Sequence, residues 1–323
     1  MELAEHKEFS EDRIKEIKDA IKEIPELIKN KLCIFVTGSY GRLEASKYSD
    51  IDLFFLDTQT NLPTSNIDTV LINAEIIKVC RKLGLSEFSK DGLYLQKHCL
   101  GDIKGNLGSP ADDYKNFYTA RMLLLLESQF LYNEELFNKC VEEIIDSYYV
   151  DFHEHTDNFE PIFLANDIIR FWKTLCLNYE HKRRCKEEGD SSNAKNIAHS
   201  KNLKLKFSRK LICFSFILKL VNHQGTISKQ ELANIVRMTP VERLESIQNQ
   251  HKDSDIDSDI KSIIDDYQWF IDHTQVESQC MLAWIADKNK RDEAFKKSNK
   301  FGQNIYNVLK KIDKNNLISK LLI

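Results

Sequence analysis

The 323-residue sequence contains no hydrophobic run long enough to cross a bilayer. The longest apolar stretch, residues 211–220, is short and is interrupted by Ser215 and Lys219. Residues 1–11 carry several charges and lack the apolar core of a signal peptide. These two absences predict a cytoplasmic protein that does not insert into membranes.

A strong net charge is also missing. The chain has 46 Lys and Arg against 50 Asp and Glu, for a formal charge of −4. Any site for a polyanion must therefore come from local clustering. Residues 181–210 provide the candidate, because they hold ten Lys or Arg and three Asp or Glu. Lys204, Lys206, Arg209 and Lys210 in this stretch either line a phosphate-binding cleft or are simply solvated.

The eight cysteines include no pair at the spacing of metal ligands, and several lie in apolar runs. This pattern is typical of reduced core thiols.

The order of the elements predicts an α+β protein. An isoleucine repeat over residues 14–28 predicts a helix that Pro25 kinks or restarts. Residues 31–37 and 51–56 read as strands, 65–83 as a helix and 92–99 as a third strand. From about residue 111 the pattern is helical, and residues 185–202 read as a polar loop. We expect an α/β domain with a small mixed sheet at 1–108, followed by an all-helical domain at 109–323. The expected helices in the second domain cover 112–128, 133–149, 160–183, 203–222, 228–236, 257–286 and 292–312.

The residue pattern between positions 37 and 56 predicts a phosphate-binding site. Gly38 allows a sharp turn, and the Ser39 hydroxyl with nearby N–H groups can cradle the β- and γ-phosphates of a nucleoside triphosphate. Arg42 is the nearest cation in the sequence for a departing phosphate.

Asp50 and Asp52 stand on the second predicted strand. Alternate residues of a strand share a face, so the two carboxylates project together at about 6–7 Å while Ile51 and Leu53 turn into the core. Carboxylates at that spacing can hold two Mg²⁺ ions, with Mn²⁺ as the alternative metal. The competing interpretation is a chance coincidence of a Gly-Ser turn with two strand aspartates. Two neighbouring carboxylates on an apolar strand are costly to bury without a cation, which favours the metal site.

The segment from Gly38-Ser39-Tyr40-Gly41-Arg42 to Ser49-Asp50-Ile51-Asp52 resembles the signature of the DNA polymerase β-type nucleotidyltransferase superfamily. The likeness is greatest to the bacterial branch that includes the uridylyltransferase of nitrogen regulation, and residues 119–128 also resemble that branch. The resemblance implies a polymerase β-like catalytic domain that binds a nucleoside triphosphate and Mg²⁺.

This superfamily usually supplies a third carboxylate from the next strand, and here the sequence departs from the pattern. The third predicted strand contains no acid. Asp102 lies just beyond it, and His98 stands within it as a base, a metal ligand or an ordinary structural histidine.

Residues 166–173 are similar to the helix that follows the catalytic domain in oligonucleotide and cyclic-dinucleotide synthases of the superfamily. That likeness implies that Arg170 or Lys173 reaches the triphosphate, and Lys204 is a further candidate. The alternative is an ordinary amphipathic helix with its cations in water.

Taken together, these residues predict a metal-dependent nucleotidyltransferase that makes a short oligonucleotide or a nucleotide signal. The alternatives are transfer of a nucleotide to a protein partner and a catalytically inactive, nucleotide-binding or antitoxin-like module.

Overall fold

The computed structural model describes residues 2–59, 63–86, 88, 92, 95–154, 156, 159–184, 192–223, 225–314 and 316–321. The chain forms two compact units. Unit 1 comprises Met1–His153 and Ser228–Thr239, and unit 2 comprises Glu154–Ile227 and Pro240–Ile323. None of the helices in the described part of the chain is both long and apolar enough to cross a membrane.

Among its described residues, unit 1 contains all four named strands and nine α-helices, and a 3₁₀ turn lies at its boundary with unit 2. In chain order these are α1 (Leu3–Ile21), α2 (Pro25–Lys29), β1 (Leu32–Thr37), α3 (Gly38–Gly41), β2 (Asp52–Asp57), α4 (Asn66–Lys82), β3 (Lys97–Cys99), α5 (Leu100–Gly105), α6 (Pro110–Tyr114), α7 (Phe117–Leu126), β4 (Gln129–Tyr132), α8 (Glu134–Asp146), a 3₁₀ turn (Phe152–Glu154), and later α12 (Lys229–Arg237).

All named elements of unit 2 are helical. Its elements are α9 (Ile162–Arg184), α10 (Ser192–Lys204), a π-helical segment (Leu205–Arg209), α11 (Lys210–Asn222), α13 (Pro240–Gln250), α14 (Asp255–Thr274), α15 (Ser278–Ala286), α16 (Lys288–Ile312) and α17 (Leu317–Lys320).

The sheet of unit 1 is mixed and has the strand order β3-β2-β1-β4. β1 pairs antiparallel with both β2 and β4, whereas β2 pairs parallel with β3. Every residue of β1 is buried, as expected for a central strand covered on both faces. The α+β class and the small mixed sheet agree with the prediction.

Alternation along the strands divides the side chains between two apolar layers. Ile34 and Val36 of β1 and Leu53 and Phe55 of β2 join the core cluster with isoleucines of α1 and α4. On the opposite face, the Phe35 ring stacks on Phe54 with centroids 5.5 Å apart. Since helices cover both faces, the chemistry of this sheet is confined to its ends and edges.

An aromatic cluster forms the centre of unit 2. Phe207 of the π-helical segment stacks on Phe270 of α14, and its ring centroid lies 4.8 Å from those of both Phe270 and Phe301. Tyr267 lies beside both phenylalanines and is fully buried. This cluster ties the π-helical segment to α14 and α16.

The structure differs from the predicted elements in several places. The predicted helix 257–286 is divided into α14 and α15, and α13 was not predicted. The predicted helix 112–128 is divided into α6 and α7, and the chain then returns to the sheet as β4. Because β4 pairs with β1, the predicted domain boundary at residue 108 falls inside unit 1. The predicted loop 185–202 is helical from Ser192 onwards, where α10 (Ser192–Lys204) begins, and residues 185–191 lie outside the described residues.

Candidate functional site

Gly38 and Asp52 are in direct proximity at one end of the sheet. Thr37, the last residue of β1, pairs with Asp52, the first residue of β2. Gly38 follows with a φ of +69°, in the left-handed region that favours glycine. A Cβ at position 38 would lie 3.1 Å from Oδ2 of Asp52. The two halves of the sequence motif therefore meet, with the carboxylate against the backbone of the turn.

Asp50 precedes β2 and is exposed, whereas Asp52 is half-buried. Ile51 and Leu53, which alternate with them, are each 1% exposed and belong to the apolar core. This alternation agrees with the predicted strand pattern and places Asp52 on the side away from that core. Asp50 precedes the strand, so its predicted position beside the Asp52 carboxylate stays a prediction. Ser39 is also partly exposed, in the four-residue helix α3.

The loop between α3 and β2 is fixed by α1. The backbone N–H of Ala45 donates to Oγ of Ser10 at 2.9 Å, and Nδ1 of His6 donates to the carbonyl of Ala45 at 2.9 Å. Further along, the N–H of Ser46 donates to Oγ of Ser49 at 3.0 Å. These bonds hold the chain immediately before Asp50 in one conformation, which is the preorganisation that a binding site requires.

Arg42 does not serve as the predicted phosphate ligand. Its guanidinium is buried and forms ion pairs with two buried carboxylates, those of Glu44 and Glu127. Nε of Arg42 donates to Oε2 of Glu44 at 2.7 Å. An arginine already committed to two carboxylates and shielded from solvent has a structural role here, and the predicted role is corrected accordingly.

Gly41 explains how the turn can approach the rest of the unit so closely. A Cβ at this position would lie 2.1 Å from the carbonyl oxygen of Glu127 and 3.0 Å from that of Val36. Glycine is thus required where α3 packs against the backbone that leads into β4.

His98 and Asp102 are not brought to the two aspartates. Because β3 runs parallel to β2, His98 pairs with Leu56 and Cys99 with Asp57. Asp57 lies five residues, about 17 Å, along the strand from Asp52. Asp102 follows in α5, where three helical residues advance only about 4.5 Å. The prediction of either residue as a third member of the site is therefore corrected.

His98 instead is half-buried beside an aromatic side chain of the sheet. Its ring stacks on Phe54 with centroids 5.8 Å apart, and burial lowers its pKa below the usual value. A half-buried imidazole that packs against an aromatic ring corresponds to the structural alternative stated for this histidine.

Arg170, Lys173 and Lys204 belong to unit 2. Arg170 lies 3.4 Å from Oδ1 of the buried Asp167, one turn earlier in α9. Lys173 and Lys204 are exposed. Their predicted contacts with a triphosphate stay predictions.

Two buried charge groups were missed by the sequence interpretation. One is the Arg42, Glu44 and Glu127 group, and the other joins Arg121 of α7 to Asp112 of α6. Arg121 is 1% exposed and forms a two-pronged pair with Asp112, at 2.8 and 2.7 Å. Arg121 and Glu127 both stand in the segment 119–128 that carried the second part of the family resemblance. The signal was two charged residues on either side of the apolar run 122–126, with Arg121 inside α7 and Glu127 at its C-terminal cap.

The donor set beside Gly38 fits a hard divalent cation. Asp50 and Asp52 offer carboxylate oxygens. The carboxylate of Asp52 borders the space that a Cβ at position 38 would fill. Among the described residues no group of three or more His, Cys, Asp or Glu side chains can hold a metal. Mg²⁺ is commonly bound by one or two carboxylates, with substrate phosphates and water as the other ligands. Two carboxylates would fit a cation whose other ligands are phosphates and water, and the predicted Mg²⁺ or Mn²⁺ site stays a prediction.

No known protein-family model matches the chain, and no curated protein matches it.

Proposed function

We propose that the chain is a metal-dependent nucleotidyltransferase with a polymerase β-like catalytic unit. The observation that carries the proposal is the placement of Asp52 against the left-handed turn at Gly38. This arrangement places a carboxylate that can bind a metal next to a turn that can hold phosphates. The backbone N–H groups of the turn and the Ser39 hydroxyl can donate hydrogen bonds to phosphate oxygens.

In the proposed reaction, an acceptor hydroxyl attacks the α-phosphorus of a nucleoside triphosphate. A new phosphorus–oxygen bond forms, the bond from the α-phosphorus to the bridging oxygen breaks, and pyrophosphate leaves with the electron pair as the hydroxyl proton is released. Mg²⁺ bound by Asp50 and Asp52 would activate the acceptor oxygen and neutralise charge on the leaving group. Gly38 and Ser39 would hold the β- and γ-phosphates in line.

The acceptor that we favour is a nucleotide hydroxyl, so that the product is a short oligonucleotide or a nucleotide signal. The basic excess within residues 181–210 supports this choice over a protein acceptor.

A second candidate is a catalytically inactive, nucleotide-binding module. It is favoured by one observation, the lack of a third acid beside Asp50 and Asp52 among the described residues. Under this alternative the triphosphate binds without release of pyrophosphate.

The test uses the full chain with each α-labelled triphosphate and Mg²⁺. We expect pyrophosphate release and a small labelled product from the wild type, and neither from Asp50→Asn/Asp52→Asn. Asp102→Asn is the matched control, because Asp102 is an exposed aspartate placed away from the pair, and it should retain activity.

Three other outcomes are informative. Label on protein would identify a protein acceptor. Triphosphate binding without pyrophosphate would support the inactive module. Pyrophosphate release that persists in the double variant would show that the proposed site is wrong.

A further inference from the structure

Lys210 is packed between two helices of unit 2. Its Nζ lies 5.6 Å from the ring centroid of Trp172 on α9. On the other side it approaches Gly302 of α16, where an added Cβ would come within 2.7 Å of Nζ. Glycine is unfavourable inside a helix, so its presence in the long helix α16 is explained by the room that it leaves for this ammonium group.

Lys206 lies one turn earlier, in the π-helical segment. Its Nζ donates to Oδ1 of Asn299 at 2.9 Å and lies 5.4 Å from the ring centroid of Phe295. Both of these partners are on α16, the helix that also carries Gly302. Isolated π-helical turns occur frequently at functional sites, because they change which side chains face a neighbouring helix.

The positive charges of the two lysines repel each other. Burial, and next the positive charge of Lys206, lower the pKa of Lys210. Among the described residues, no carboxylate forms an ion pair with either lysine. Two ammonium groups that repel each other beside an apolar wall are stabilised when an anion binds to both.

We propose that Lys206 and Lys210, with the side-chain amide of Asn299, form a binding site for a phosphate group within unit 2. Asn299 accepts from Lys206 through Oδ1 and leaves its NH₂ group as a further donor. A phosphate offers several oxygens for the three donors, since Lys206 already contacts Asn299 and its charge acts on Lys210. Phe295 lies beside Lys206 and Trp172 beside Lys210. The inference goes beyond the proposed function, since it concerns residues that no catalytic step uses.

The binding test uses isothermal titration calorimetry on the full chain carrying Asp50→Asn/Asp52→Asn, in EDTA. These conditions remove metal-dependent triphosphate binding at the proposed catalytic site, so failure of one proposal does not imply failure of the other. The probes are inorganic phosphate and AMP, with acetate as the control anion. We expect saturable binding of at least one phosphate probe, and binding at least about tenfold weaker for Lys206→Gln or Lys210→Gln. Lys261→Gln, at an exposed position of α14, is the matched control and should bind like its parent.

The two probes separate the sources of the phosphate. If both bind competitively, free phosphate suffices. If AMP alone binds, the site takes a nucleotide phosphate, and the aromatic side chains contribute to recognition.

A second variant guards against loss of fold. In Gly302→Ala the added Cβ must displace only the flexible end of Lys210, so the helix should be at least as stable to heat while phosphate binding weakens. The inference is overturned if neither phosphate probe binds, or if Lys206→Gln/Lys210→Gln binds as tightly as its parent.

Discussion

Arg42 donates a hydrogen bond to Glu127, a residue 85 positions later in the chain. The same guanidinium also pairs with Glu44, so one side chain joins the end of α3 to the segment that leads into β4. The turn that carries Gly38 and Ser39 is therefore held in place by buried charge, and its orientation depends on a contact made late in the sequence.

Removing the positive charge of Arg42 should show how strongly the fold depends on this buried ion-pair group. Arg42→Met leaves two buried carboxylates without their guanidinium, and we expect a loss of about 3–5 kcal/mol of stability in urea denaturation. Lys22→Met is the control, because its pair with Asp19 is solvent-exposed and should contribute about 0–1 kcal/mol. Equal losses in the two variants would contradict the structural role assigned to Arg42.

Gly41 should tolerate no side chain. Gly41→Ala places a Cβ against the backbone of Glu127, and we expect a loss above about 3 kcal/mol, because backbone cannot move as a side chain can. Gly105→Ala is the matched control, since nothing lies within 4 Å of its Cβ, and its stability should change by less than about 1 kcal/mol. Thermal unfolding of both proteins tests the contrast.

Gly38 should matter for activity as well as for stability. Gly38→Ala forces a left-handed alanine, at a cost of about 1–2 kcal/mol, and brings its methyl group to Oδ2 of Asp52. We expect pyrophosphate release to fall at least about tenfold, about 1.4 kcal/mol in the transition state.

Gly84→Ala separates the two effects of that substitution. Gly84 also has a positive φ, but a Cβ there meets nothing within 4 Å. Its alanine variant should lose similar stability and keep its activity. Full activity in Gly38→Ala would argue against the proposed site.

Acid should destabilise the fold through His98. Burial lowers the pKa of this histidine from its usual 6.5, so the unfolded chain takes up the proton more readily than the folded protein. Stability is therefore unaffected well above about pH 6.5 and falls as the pH drops through that value towards the lowered pKa of the folded state.

His98→Phe keeps a ring beside Phe54 and removes the titration. The difference in unfolding free energy between wild type and variant should be constant above about pH 7 and shift in favour of the variant below about pH 6. A difference that does not vary with pH would contradict the lowered pKa of His98 in the folded protein.

The central elements of unit 1 were predictable because their signals are local. Strong apolar runs mark β1 and β2, and the turn at Gly38 and the alternation around Asp52 can be read from adjacent residues. β4 was missed since its four residues follow α7 directly, and only pairing with the distant β1 makes them a strand. α10 was missed because it contains many polar residues and is stabilised by tertiary packing.

In the candidate site, too, local relationships could be predicted from the sequence and long-range ones could not. The proximity of Gly38 and Asp52 follows from two strands that are adjacent in sequence and antiparallel. The role of Arg42 depends on its contact with Glu127, which is distant in sequence. The roles of His98 and Asp102 depend on the parallel direction of β3 relative to β2. A strand read from sequence carries no direction relative to its neighbours, so a ligand placed on it by analogy can lie at the opposite end of the sheet.

The chain leaves unit 1 after His153 and comes back to it for Ser228–Thr239. In this short return, α12 buries Leu232 and Val236, and Lys229 pairs with Asp146 of α8 at 2.6 Å. A recombinant fragment that stops at residue 153 would thus be produced without one of its own packing helices and should be prone to aggregation. Adding residues 228–239 back as a separate peptide should improve its solubility, so fragment boundaries for this protein have to follow contacts rather than sequence order.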